Sequence, residues 1–261
     1  MRYLRLWWQF VITASVEQAE FRLNFALAVL GGWGGLGLAV LTFGLLYQFT
    51  NEVQGWRRDE ALVLVGFYQV ANGLWDMLVW PGITQVSDAI ESGEMDFVLL
   101  RPVDSQFLVS LRRVDLPAGV QVLTGLALAA YASERAGVSW SLPAAAGAGI
   151  LLLSGLVWLY AVRFLTVTLA FWLVSVGNLY VLLHSGWEAA RYPVTFFRGT
   201  MRVLLTFVVP VAFVTTFPAQ TLLGGVDGQV LAAGVAGAAA ALWASHRFWA
   251  FAVRHYSSAS S

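Results

Sequence analysis

Apolar residues come in long blocks along this chain, separated by a few short polar stretches. The first block runs from about Leu23 to Phe49 and the second from about Ala61 to Thr84. A third covers roughly Leu116 to Ala132, and the last about Gln229 to Phe251. Each is close to the ~20 residues a helix needs to cross the ~30 Å hydrocarbon core of a bilayer. From Leu142 to Gly186 the chain stays apolar for forty-five residues, interrupted by Arg163. One helix of that length would measure ~67 Å, so two spans turning near Arg163 are expected.

The stretch Val203 to Leu223 carries both Pro210 and Pro218. Counted as a crossing it would make seven spans; as a broken, re-entrant hairpin it leaves six. Two prolines so close together favour the broken form, with protein around the freed backbone groups. Ahead of the first span, residues 3–20 read as an amphipathic helix on the membrane surface. Tyr3, Trp7, Phe10 and Ala14 share one side, and Arg5, Gln9, Thr13 and Glu20 lie opposite. The expected fold class is therefore an all-α polytopic membrane protein in a single transmembrane domain, residues 1–261. It has six transmembrane helices, an N-terminal interfacial helix and a re-entrant hairpin before the last span. In the first span, the run Gly31 to Gly37 (GGWGGLG) suggests close backbone approach to a neighbouring helix. Trp7, Trp8, Trp56, Trp140, Trp187 and Trp249 fall near predicted span ends, where interfacial anchoring is expected.

Composition sharpens this picture. Charged residues make up 11% of the chain against ~25% in soluble domains, which argues for lipid as the solvent. Net charge is zero, so no basic tail points to nucleic acid. All fifteen basic residues are Arg. Without Lys the chain cannot carry a Walker A loop, whose Lys reaches the β- and γ-phosphates. Any ATP and Mg would be bound by a separate polypeptide, and this chain is expected to hold no cofactor. Without Cys, disulfides and thiol catalysis are excluded. The three His are too scattered for a metal site, and no catalytic constellation appears. No cleavable signal peptide is recognised in the first twenty residues. The positive-inside rule sets Arg2, Arg5, Arg22, Arg101, Arg112, Arg113, Arg247 and Arg254 on the cytoplasmic side, with both termini. Arg57, Arg58, Arg135, Arg191, Arg198 and Arg202 then fall outside.

Within the second span Gln69, Asn72, Gly73 and Asp76 recur at helical spacing on one polar face. A carboxylate at such depth costs at least ~2.5 kcal/mol on insertion scales, so Asp76 is expected to face the bundle or a wet cavity. Arg163 lies at comparable depth and is the expected partner of Asp76. The pair is either structural or part of a substrate path. Asn24 and Asn178 are single amides suited to joining helices.

The longest polar stretch, residues 85–115, holds nine of the thirty charges and so lies outside the lipid. In it Ile83, Val86 and Ile90 form an apolar stripe, with Asp88 and Glu91 facing elsewhere. Gly93 is placed to stop that helix with φ > 0, and Pro102 ends the next short apolar run. Asp104 and Ser105 are suited to start the following turn. The outcome is a knob of Met95, Phe97, Leu99 and Leu100 with carboxylates around it. It is either a loop packed on its own bundle or a docking element with a charged rim.

The block ESGEMDFVLLRPVD, Glu91 to Asp104, resembles the "E-x-G-T-L-E-x-L-L-x-x-P-x-S" segment of ABC-2-type transporter permeases. It is closest to the subgroup form "G-x-L-D-x-L-L-x-R-P", matched by Gly93, Asp96, Leu99, Leu100, Arg101 and Pro102. Met95 stands where Leu is usual. The stretch Arg191 to Gly225 is similar to that subgroup's late "YP…F…R…P-A-F…P" block. The resemblance implies a permease that pairs with a second permease, identical or divergent, and with two cytosolic ABC ATPase subunits. It implies that Ile90, Glu91, Gly93, Glu94, Met95, Asp96, Phe97, Leu99, Leu100, Arg101 and Pro102 form the element that couples to the ATPase. The expectation is the membrane subunit of an exporter in a bacterial inner membrane. An energy-independent channel or carrier, or an intramembrane enzyme, are the alternatives.

Overall fold

The computed structural model describes residues 2–19, 22–139, 141–173 and 177–256. Glu20 and Trp140, with the side chains of Arg22, Asn24 and Asn178, lie outside the described residues. The helices are α1 (Arg2–Ala19), α2 (Arg22–Leu46), α3 (Arg58–Leu78), α4 (Trp80–Ile83), α5 (Val86–Glu91), α6 (Met95–Leu99) and α7 (Ser105–Leu111). There follow α8 (Gly119–Arg135), α9 (Leu142–Thr168), α10 (Gly177–Glu188), α11 (Gly199–Val203), α12 (Phe217–Gly224) and α13 (Gly228–Arg254). Two short strands, β1 (Glu52–Val53) and β2 (Trp56–Arg57), pair in antiparallel register between α2 and α3. Gln54 and Gly55, both at positive φ, close that hairpin, as a two-residue loop matching strand twist requires.

Polar residues set the helix starts. The Glu60 side chain accepts from the Arg57 amide at 2.9 Å and pairs with the Arg57 guanidinium at 2.7 Å, opening α3. Ser141 caps α9, and Asp227 caps α13 by accepting from the amides of Gln229 and Val230.

Among the described residues five helices are long and apolar enough to cross a membrane: Phe25–Leu46, Arg58–Leu78, Leu116–Arg135, Leu142–Phe171 and Gly228–Arg254. The expected turn at Arg163 is not there. The helix continues through Arg163, and the break follows Phe171. Hydropathy suggested a turn because a buried Arg is costly, but here aromatic rings sheathe it, as described below. The next piece, α10, has twelve residues and would reach only ~18 Å. The chain goes on through short turns at Ala189–Arg191 and Val194–Phe196.

Contacts show which ends of the helices lie together. At one end, the loop end, α1 lies along the segment after α6. Arg2 Nη2 donates to the Pro102 carbonyl at 3.0 Å, Tyr3 meets the Phe107 ring edge-on at 5.0 Å, and Gln18 bonds Val114 and Leu116. The Leu169–Phe171 turn packs on α5, and Tyr256 lies near Asp96, so both described termini are also here. At the opposite end, the hairpin end, Tyr47 donates to the Trp56 carbonyl, and the Trp56 indole donates to Thr195 Oγ1 at 3.0 Å. Phe171 thus lies at the loop end, while Thr195 lies at the hairpin end.

Gly199–Val208 and Ala212–Gly224 form a pair bent by 72° about Pro210, with π-helical turns at Leu204–Val208 and Ala212–Thr216. Thr195, four residues before the pair, accepts from the Trp56 indole, and within the pair Val209 meets Gly186, Phe213 meets Gly155 and Thr221 meets Gly147. Pro210 supplies the break by removing a donor from the ladder.

The seam of α3 against α8 is a close one. An added Cβ on Gly125 would stand 2.6 Å from the Val70 nitrogen, and one on Gly66 2.7 Å from the Ala129 nitrogen. Only glycine allows backbones this close. By contrast, Gly31, Gly34, Gly35 and Gly37 meet nothing within 4 Å, and only Gly32 touches a neighbour, Gln121. Among the described residues, the glycine-rich run thus does not make the close approach expected of it. Of the expected aromatic anchors, Trp56, Trp187 and Trp249 are buried and bond within the bundle. Trp8 is exposed on α1, with Leu4, Ile12 and Val16 in line with it.

Candidate functional site

Two regions gather the residues that the sequence singles out. The first is the loop end. Here α5 packs Val86 and Ile90 inward beside Ile83 and leaves Asp88 and Glu91 exposed, as their helical spacing requires. Gly93 takes φ +79° and turns the chain into α6. Pro102 follows α6, and Asp104 caps α7 by accepting from the Phe107 amide at 2.8 Å.

The expected four-residue knob is corrected to two. Met95 is fully buried, with 0% exposure, and turns inward together with Val98 one helical turn later. Leu99 is half-buried. Phe97 and Leu100 remain outside, 70% and 81% exposed. Around them Glu91, Glu94, Arg101 and Pro102 are exposed and Asp96 is half-buried. A cleft of about 600 Å³ adjoins Phe97, with Asp88, Glu94, Arg101, Arg112 and Arg113 along its walls. Carboxylates and guanidinium groups thus flank an apolar tip.

Burial and the neighbouring Asp96 carboxylate raise the pKa of the Tyr256 phenol. Close by, burial raises that of the Asp115 carboxyl, whose backbone amide donates to the Met77 carbonyl at 2.9 Å.

The second region is a cavity of about 340 Å³ between α2, α3, α8, α9 and α10. It holds the polar face expected on the second span together with the expected partner of Asp76: Gln69, Asn72, Asp76 and Arg163. Asn72 Nδ2 donates to Asp76 at 2.8 Å and to Gln121 Oε1 at 2.9 Å, while Asn72 Oδ1 accepts from the Trp187 indole at 3.0 Å. Asn72 is therefore fully engaged and orients the carboxylate beside it. Gln69 lies near the Gly32 carbonyl, at 3.4 Å.

Arg163 is 2% exposed and lies over the face of Trp75, 4.5 Å from its centroid, and 5.9 Å from that of Trp187. Such cation–π stacking is worth about 2 kcal/mol or more where water is excluded, which lets a guanidinium sit at this depth. Asp76 and Arg163 share the cavity and interact electrostatically. Asp76 also accepts from Asn72, and Arg163 also stacks on the two tryptophans. Nearby, Arg191 forms an ion pair with Glu188 and stacks on Tyr68, which donates to Glu188 at 3.3 Å.

A family model described as "ABC-2 family transporter protein" matches residues 35–260, well over half of the chain. The chain belongs to the ABC-2 family of transporters. Neither the comparison with curated proteins nor that with solved structures gives a match. It is thus a permease component of an ABC transporter, and family membership implies an ABC ATPase as its partner. The matched region takes in the loop end from α4 to α7, the polar cavity apart from Gly31 and Gly32, and the bent pair.

Several residues of the permease's two regions escape a reading of the sequence. Gln121, His184, Glu188 and Arg191 line the cavity from three different segments, so no single helical face reveals them. A signal exists for Tyr68, which lies four residues before Asn72 on the same helical face. Gln106, Tyr160, Ser245 and His246 form a second polar group behind the loop end. They come from three separate segments, and the partners of Gln106 are 54 to 140 positions away.

Proposed function

We propose that this permease is the membrane-spanning subunit of an ATP-driven exporter, with segment 86–111 as the element on which its ATPase seats. One observation carries the reading: Phe97 and Leu100 stand exposed on a short helix whose other face is buried, flanked by charged residues of both signs. An apolar anchor with a charged rim fits a protein groove. Closing of the ATPase pair on ATP would push this segment and bias a bistable bundle between two states. ATP and Mg are bound in the ATPase, and none in this chain.

In this reading the loop end faces the cytoplasm, with both termini, and the membrane is a bacterial inner membrane. The bent pair is a re-entrant hairpin from the outer side. A second permease, identical or divergent, completes the assembly, and the bare glycine-rich face of α2 is available to it. The cavity around Asn72, Asp76 and Arg163 is a structural polar cluster beside the path rather than the path itself. Full engagement of Asn72 and the stacking of Arg163 support that choice.

Co-purification from the native membrane tests the proposal. The expected result is an ABC ATPase bound to the wild-type chain and absent from the Phe97→Asp, Leu100→Asp double variant. Solute flux through the purified permease with no ATPase bound would refute it and favour a channel or carrier.

A further inference from the structure

The loop end is fastened to the rest of the bundle by two joints of different character. Toward α4, which follows directly on α3, the joint is made of backbone. Gly82 lies so close to the carbonyls of Val109 and Ser110 that an added Cβ would stand 2.6 and 2.3 Å from them. Toward α9 and α13 the joint is made of side chains. Gln106 and Ser110, four residues apart on α7, face those two helices together.

Gln106 is buried and uses both ends of its amide. Its Nε2 donates to Tyr160 of α9 at 3.1 Å and to Ser245 of α13 at 3.2 Å. Its Oε1 lies 3.0 Å from His246 Nδ1. A Gln carbonyl oxygen only accepts, so with the amide in this orientation Nδ1 carries the proton. Ser110 Oγ meets the same Tyr160 hydroxyl at 2.8 Å, and the Trp249 indole donates to Ser105 Oγ at 2.9 Å. The Gln106 amide, the Ser110–Tyr160 hydroxyl pair and the Trp249 indole would lose these partners if α7 slid past the two helices. In an apolar interior that outcome is disfavoured, so α7, α9 and α13 move as one body at this level.

Toward the hairpin end the same two helices hold the bent pair. Phe213 stacks on Trp158 of α9 with centroids 5.2 Å apart. Its backbone lies against Gly155 and its ring against Gly234 of α13.

We propose that Gln106 is the positioning residue that carries displacement of segment 86–111 into α9 and α13, and through them into the bent pair. This rests on the coupling reading above. Side-chain hydrogen bonds that cross from the loop end into two helices at once make a rigid fork, and Gln106 is its centre. Its role is to pass motion on, beyond holding the fold.

The lack of Cys in this chain allows spin labels at chosen sites of the permease, attached before it joins its ATPase in lipid nanodiscs. Labels at Ser92 and Gln54 report the loop against the hairpin end. Labels at Glu134 and Gly228 report α8 against α13 at the hairpin end. Distances are compared without nucleotide and with ATP trapped by vanadate. In the otherwise wild-type complex both distances are expected to shift. In Gln106→Leu the first shift persists and the second is lost. Tyr160→Phe, which keeps the ring and removes one hydroxyl, weakens the second shift and serves if Gln106→Leu does not fold. A full second shift in the folded variants overturns the inference alone. A first distance that stays fixed in the wild-type complex overturns the coupling reading, and the inference with it.

Discussion

The α3–α8 seam offers a quantitative test, because glycines with and without neighbours occur in the same molecule. Consider Gly125→Ala. Its new methyl would lie 2.6 Å from the Val70 nitrogen and 2.8 Å from the Gly66 carbonyl oxygen, both backbone atoms that no rotamer change can remove. Ordinary contact would require the helices to part by about 1 Å, an overpacking that costs about 1–3 kcal/mol. Ala also gains about 0.5–1 kcal/mol over Gly in a helix interior, which offsets part of the loss. Gly149→Ala on α9 supplies the control, since its methyl meets nothing within 4 Å among the described residues, keeps the propensity gain and lies away from the α2 face. The difference between the two variants therefore isolates the contact, at about 1–3 kcal/mol, or roughly 5- to 150-fold in the folding equilibrium. Steric-trap unfolding of the purified permease in mixed micelles reads this difference directly. Equal stability of the two variants would refute the packing argument, and with it the account of why α3 and α8 lie so close.

Four further outcomes follow from the same geometry. Met95→Ala should destabilise the purified permease by about 2–5 kcal/mol in the same assay, because Met95 is wholly buried. Leu100→Asp should change stability by less than about 0.5 kcal/mol, yet abolish ATPase binding in a pull-down. Asn72→Ala should cost about 1–3 kcal/mol, since it strips partners from the Trp187 indole, Gln121 and Asp76; a neutral result in thermal unfolding would contradict that network. Asp104→Ala should lower stability by about 1 kcal/mol through loss of the α7 cap, and hydrogen exchange at the Phe107 amide should accelerate.

Much of the loop end was legible in the amino-acid sequence because its signals are local. The inward stripe of Ile83, Val86 and Ile90, the left-handed Gly93 and the Asp104 cap each depend on residues within a turn of one another. What went astray depended on distant partners. Arg163 resembled a turn marker because hydropathy does not register that Trp75 covers it. Met95 resembled an exposed hydrophobe because nothing within the loop reveals which side of α6 meets the bundle. The glycines mislead in the same way. Density drew attention to Gly31–Gly37, whereas close approach occurs at Gly66 and Gly125, single residues matched across two helices. Such a match requires both helices to be placed first. The polar face of α3 was visible from its spacing, but the walls opposite it were not, since they come from four other helices.

The first helix has a practical consequence. Arg2 and Tyr3 reach the Pro102 carbonyl and Phe107, so anything fused ahead of them would hang beside the exposed tip formed by Phe97 and Leu100. A purification tag placed there would crowd the very surface that a binding assay interrogates. An epitope inserted at the Gly137 turn, at the far end of α8, leaves that surface clear and suits affinity capture better.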